Sequence, residues 1–194
     1  LSTVANRFIK LPIEVNGGTF APRGNDGSSI FMTNAGEKYG VPYFLSAEEM
    51  PDRFHSRLLA VRKTYSYSVD MAPKKSVFER KYVWGLGEHL DLAMMRRAAE
   101  DLIGEHDFKS FCSVHAQVET TVRTIYDCTV TRKEDEVHIR VTGNGFLYNM
   151  VRIIAGTLIE VGAGKRKPEA ILEMLEATDR QSAGPTAPAH GLTM

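Results

Sequence analysis

The chain reads as an α+β fold, an antiparallel or mixed sheet with helices packed on one face. Residues 63–69, "KTYSYSV", alternate aromatic or branched with small polar side chains, the period of a half-buried strand. Two further β-rich runs, "VRTIYDCTVTR" and "DEVHIRVTG", meet at the charged stretch Lys133, Glu134 and Asp135 and form a hairpin. Three segments with helical spacing of apolar residues complete the pattern.

In chain order, residues 16–40 come first as a segment crowded with Gly, Asn, Ser and Pro and without a sustained period. Residues 1–50 are therefore read as a loop-rich N-terminal segment and 51–194 as the α+β domain. The strand at 63–69 lies in a basic neighbourhood: between Asp52 and Lys81 there are eight Lys or Arg against three acids, a local excess of +5. "LDLAMMRRAAEDLIGEHD" predicts a helix with Asp91 as N-cap, Leu92, Met95, Ala99 and Leu102 on one face, and Gly104 as its stop. After the hairpin, "GNGFLYNMVRIIAGTLIEVG" (143–162) predicts a second helix whose buried stripe is Phe146, Met150, Ile154 (or Ile153) and Leu158. A third helix begins at Pro168, a residue suited to the first turn, with Ile171, Leu172 and Leu175 as its apolar side. Helices on one face would leave the other face of the sheet free to bind a large partner.

Composition narrows the function. With 24 Lys plus Arg against 24 Asp plus Glu, net charge offers no global argument for nucleic acid or membrane, so any such argument rests on local patches. The two cysteines, Cys112 and Cys128, are too few for a disulfide framework or zinc site and read as buried thiols in a reducing compartment, the cytoplasm. No apolar run approaches the ~20 residues of a membrane span. Phosphate loop, dinucleotide, zinc-protease and serine-hydrolase signatures are all missing, so nucleotide hydrolysis, dinucleotide redox and zinc or serine hydrolysis have no motif support. What remains is a set of cations (Arg57, Arg62, Lys63) with His55 and the rings of Tyr65 and Tyr67, the pairing that a phosphate backbone and an unstacked base require.

Seven ordered blocks, "DRFHSR", "RKTYSYSV", "RKYVW", "LDLAMMRRAAEDLIGEHDFKSF", "VRTIYDCTV", "GNGFLYNMVRIIAGTLIEVGAGKRKPE" and "LEATDRQSAGPTAPAHGL", resemble the C-terminal half of the TruA family of tRNA pseudouridine synthases. The resemblance runs from about residue 52 to the end. It implies a pseudouridine synthase-like mixed sheet built from two similar halves, a homodimer, no cofactor, and isomerisation of uridine to pseudouridine at positions 38 to 40 in the anticodon arm of tRNA. It also implies that Tyr65 is the active-site tyrosine, that Arg152 lines the RNA cleft and that Leu192 is the apolar residue beneath the target base. Arg123 and the trio Lys165, Arg166 and Lys167 are candidate phosphate contacts, a solvated loop being the equal alternative for the trio. Tyr148 and Asn149 stand where the family usually has two histidines or a Tyr-His pair, so no specific RNA contact is assigned there.

The family's catalytic aspartate block has no counterpart. Asp26, in "PRGNDGSS", lies only 28 residues before Phe54, lacks the block's continuation and is rejected. Residues 1–50 are accordingly read as an incomplete or divergent remnant of the family's N-terminal half. The alternative is an inactive or truncated relative that binds structured RNA without isomerising it.

Overall fold

The computed structural model describes residues 54–55, 59–74, 79–113 and 118–194, together with the backbone of four strands among the first fifty residues. Two compact units divide the chain, Leu1–Ala60 and Val61–Met194. In the first, β1 (Ile13–Val15) pairs antiparallel with β2 (Gly18–Phe20), and β3 (Ser29–Lys38) with β4 (Val41–Met50). Part of the segment read as loop is therefore strand. The β3–β4 register shifts between Thr33 and Asn34 and again between Asn34 and Glu37, and a bulged strand loses the period of two that a sequence reading depends on.

In the second unit, β5 (Lys63–Asp70) is the strand expected from "KTYSYSV". The predicted hairpin forms as β8 (Val122–Lys133) and β9 (Glu136–Gly143), turning through Glu134 at φ 56. Together with β6 (Trp84–Gly85), β7 (Gly104–Asp107) and β10 (Leu192–Thr193) they make a six-stranded sheet ordered β10–β5–β9–β8–β7. All pairs along that path are antiparallel, and β6 adds one parallel pairing to the end of β5, so the sheet is mixed.

Three α-helices accompany it among the described residues: α1 (Leu92–Glu100), α2 (Met150–Gly162) and α3 (Ala170–Ala177). Asp91 caps α1 as its sequence predicts, its carboxylate accepting the N–H groups of Ala93 (2.9 Å) and Met94 (3.1 Å). Gly104 does not simply stop this helix. It opens β7 at φ 117, and the strand was hidden in the polar tail of the helical pattern.

The core forms where one face of the sheet meets α1 and α2. Tyr67 and Val69 of β5, Val137, Ile139 and Val141 of β9, and Cys128 and Val130 of β8 meet Met95, Ala98, Ile153, Ile154 and Leu158. Burying a large aliphatic side chain of this kind stabilises by about 1.5–3 kcal/mol. α2 is enclosed on every side, and of its thirteen residues only Arg152 and Glu160 are not buried. The stripe expected from the sequence is thus too narrow, and Phe146 precedes the helix. On α3 the buried set is Ile171, Met174 and Leu175, while Leu172, expected inside, is 47% exposed. The Ser110 hydroxyl donates to the Met174 carbonyl (2.6 Å) and so ties α3 to the turn Lys109–Phe111 that follows β7.

The other face of β5 and β9 carries Thr64, Ser66, Ser68, Asp70, Glu136, His138, Arg140 and Thr142. Cross-strand pairs such as Thr64 with Thr142 (3.0 Å) and Ser68 with His138 (3.1 Å) satisfy it. Across these two strands one arginine stands against two carboxylates, a balance that does not favour phosphate binding there.

Candidate nucleic-acid interface

The residues with chemistry converge instead on the helix-covered side, where β5 passes the turn that leads into α2. Tyr65 alternates in register with buried Tyr67 and Val69, so its ring points toward the helices, but near the strand end it is only half-buried. It meets Phe146 edge-on, with centroids 5.3 Å apart and planes at 87°. The turn that delivers Phe146 requires glycine: a Cβ on Gly143 would lie 2.8 Å from the Thr124 carbonyl oxygen. Asn144 closes that turn, its backbone N–H donating to the Thr124 carbonyl (3.0 Å) while its side-chain oxygen accepts the Thr124 N–H (3.1 Å). Lys63 pairs with Gly143 at the same end of the sheet.

Arg152 projects from the first turn of α2 and is partly buried. Its Nε donates to the Ala187 carbonyl (2.6 Å), and the Ala187 N–H donates back to the Arg152 carbonyl (3.1 Å). One Nη1 hydrogen goes to Asn149 Oδ1 (3.0 Å). Asn149 sits at φ 61 and also donates through Nδ2 to Ser113 Oγ (2.9 Å), so the arginine has a fixed anchor. Nη2 finds no partner among the described residues; because no buried polar side-chain atom there lacks one, this end reaches the surface. No described carboxylate pairs with it.

The segment 183–188 straps this arrangement to the fold. The Gly184 N–H donates to Thr157 Oγ1 (3.0 Å), and the Tyr67 hydroxyl donates to the Pro188 carbonyl (2.6 Å). Burial pushes the Tyr67 phenol well above the usual tyrosine range, with the nearby Arg152 charge offsetting part of the shift, so Tyr67 stays a hydrogen-bond donor. Just beyond the strap, Leu192 of β10 pairs with Tyr67 and is half-buried. Arg123 lies across the Phe146 turn, 3.8 Å from where a Gly145 Cβ would be, and its Nη1 donates to the carbonyls of Thr120 (2.9 Å) and Val122 (2.6 Å).

Of the residues selected from sequence, Tyr65, Lys63 and Arg123 thus border the Phe146 turn, and Arg152 and Leu192 border Tyr67, two residues further along β5; these residues make up the candidate rim. Arg62 is engaged elsewhere, its guanidinium 5.2 Å from the centroid of the Tyr126 ring. Arg166 is occupied by Glu160 and by the Ser182 carbonyl (2.8 Å). His55 belongs to the first unit, where its carbonyl accepts the Leu59 N–H (2.9 Å); Arg57 and Asp26 lie outside the described residues. Sequence reasoning missed Asn149 and Tyr67 as supports. The three-residue spacing from Asn149 to Arg152 at a helix start was a usable signal, whereas the Tyr67–Pro188 bond, spanning 121 residues, gave none.

Among the described residues no helix is long and apolar enough to cross a membrane, and no cluster of three His, Cys, Asp or Glu could hold a metal ion. Cys112 and Cys128 are both buried free thiols.

A family profile described as tRNA pseudouridine synthase matches residues 98–194. The chain is 50% identical over 146 residues to tRNA pseudouridine synthase A of Bacillus subtilis (strain 168), covering 75% of this chain and 59% of the relative. To the proteins of the same name from Halalkalibacterium halodurans and Exiguobacterium sp. it is 49% identical over 148 residues and 51% over 146, covering 76% and 75% of this chain and 56% and 58% of those proteins. The chain therefore spans a little under three fifths of the length of these relatives. With half its length matched by the family profile and half of the residues in these alignments identical, the chain belongs to the tRNA pseudouridine synthase family.

Proposed function

We propose that this chain is part of an enzyme that isomerises uridine to pseudouridine at positions 38 to 40 in the anticodon arm of tRNA, acting as a cytoplasmic homodimer without a cofactor. The observation that carries this reading is the rim itself: a half-buried tyrosine beside an anchored arginine with an open Nη2, flanked by Lys63 and Arg123.

The reaction takes the uridine out of its stack, breaks the bond from ribose C1′ to N1, turns the ring, joins C1′ to C5, releases the C5 proton and leaves N1 protonated, so the product is an isomer of the substrate. Tyr65 holds the freed base and places its hydroxyl beside it. The open end of Arg152 orients a carboxylate or a phosphate, and Lys63 and Arg123 hold the RNA backbone. The carboxylate that acts on the ribose is supplied from outside the residues gathered at this rim.

Release of tritium from C5 of uridine at positions 38 to 40, measured with the complete protein and with this chain, tests the proposal. Release by the complete protein is expected; its absence there, with tRNA still bound, favours the second reading, an RNA-binding relative without turnover. That reading draws on the lack of any described carboxylate paired with Arg152. In the complete protein, Tyr65→Phe should lower turnover about 100-fold and leave tRNA affinity nearly unchanged. Unchanged turnover would remove the tyrosine assignment. Light scattering of the purified protein reads the dimer directly.

A further inference from the structure

We infer that Tyr148 is a stacking platform for an unpaired RNA base beside the Tyr65–Arg152 rim, a role that rests on the RNA-binding function proposed above. Its side chain is 65% exposed, more than any other aromatic residue among those described. The backbone beneath it is held in place. The Tyr148 carbonyl accepts the Ser113 N–H (3.1 Å). The following residue, Asn149, is locked in the left-handed conformation by its bonds to Ser113 and Arg152. A ring on a fixed backbone has little freedom left to lose when a flat partner covers it, which is what favours stacking.

The surroundings select the partner. Arg152 bonds to the residue next to Tyr148, and Arg123 lies against Gly145, three residues before it. No described carboxylate is paired with either arginine. An apolar protein segment would gain nothing from two such cations, whereas a nucleotide presents a π-face and a phosphate together. The other exposed ring near this end of the sheet, Tyr126, already has Arg62 over its face.

The test uses the complete protein with two RNA probes: an anticodon stem-loop and a blunt duplex of the same stem. Tyr148→Ala should weaken stem-loop binding by about 5- to 100-fold with an unchanged salt dependence, because stacking releases no counterions. Tyr148→Phe should bind as the parent does. In Tyr148→Trp the added fluorescence should be quenched by the stem-loop and not by the duplex. Parental affinity in Tyr148→Ala overturns the inference, as does an equal loss on both probes, which would mark a backbone contact. A lowered melting temperature with unchanged affinity would overturn it too, making the ring a packing contact. If the parent protein binds neither the stem-loop nor whole tRNA, the RNA reading itself falls, an outcome distinct from a parent that binds and a Tyr148→Ala variant that matches it.

Discussion

Tyr67 shows how much one buried hydroxyl can hold. Its ring packs edge-on against Trp84 (6.5 Å), its hydroxyl supports Pro188, and Pro188 follows the residue that anchors Arg152. Tyr67→Phe keeps the ring and leaves a carbonyl without its donor, so stability should fall by about 1–2 kcal/mol in chemical denaturation. The same group makes the fold alkali-sensitive. Its folded pKa lies above its unfolded value of about 10, so its contribution is intact below that pH and is lost as pH rises further. Tyr67→Phe should flatten that decline. Cys128 adds a similar dependence from a different place. Burial first, and then the neighbouring Asp127, push its thiol up to about 12. Stability should therefore decline with a limiting slope of about 1.4 kcal/mol per pH unit between roughly pH 9 and 12, and Cys128→Ala should remove that component.

At the scale of elements, α2 and the strap depend on two missing side chains. A Cβ on Gly156 would overlap the Pro185 carbonyl, and one on Gly184 would lie 2.7 Å from the Thr157 Cα. Helix propensity alone would make Gly156→Ala stabilising by about 1 kcal/mol. The close approach of the strap should reverse the sign, giving a net loss of about 1–3 kcal/mol from overpacking. Thermal denaturation reads this directly: an increase in melting temperature would mean that the strap yields easily and does not fix Arg152. The glycine in "RIIAG" is visible in the sequence, but the segment it makes room for is 29 residues further on.

For the whole molecule, the balance of 24 basic and 24 acidic residues hides a local asymmetry. The helix-free face of β5 and β9 is slightly acidic, while Lys63, Arg123 and Arg152 surround the rim on the opposite side. Under the proposed function, binding of tRNA should depend on salt more steeply than neutrality suggests. Arg123→Ala and Arg152→Ala should each reduce the slope of log affinity against log salt by about 1. Arg152→Ala also takes two hydrogen bonds from its surroundings and will cost stability, so the salt slope rather than affinity alone distinguishes a phosphate contact from a structural role. A slope unchanged in both variants would move the RNA surface away from this rim.

Local chemistry was legible from sequence wherever neighbours along the chain do the work. Alternation in "KTYSYSV", the Asp91 cap and the hairpin at Glu134 follow from residues close enough in sequence to dictate their own backbone geometry. The order of the seven blocks likewise carried the family. Only the tertiary structure decided which face of the sheet holds the rim, that α2 is buried all round, that Leu172 turns outward and Met174 inward, and that Arg152 is anchored by Ala187. Those outcomes depend on contacts between segments far apart in the chain, such as Tyr67 with Pro188, and periodicity records only which side of an element is apolar, not what arrives to cover it.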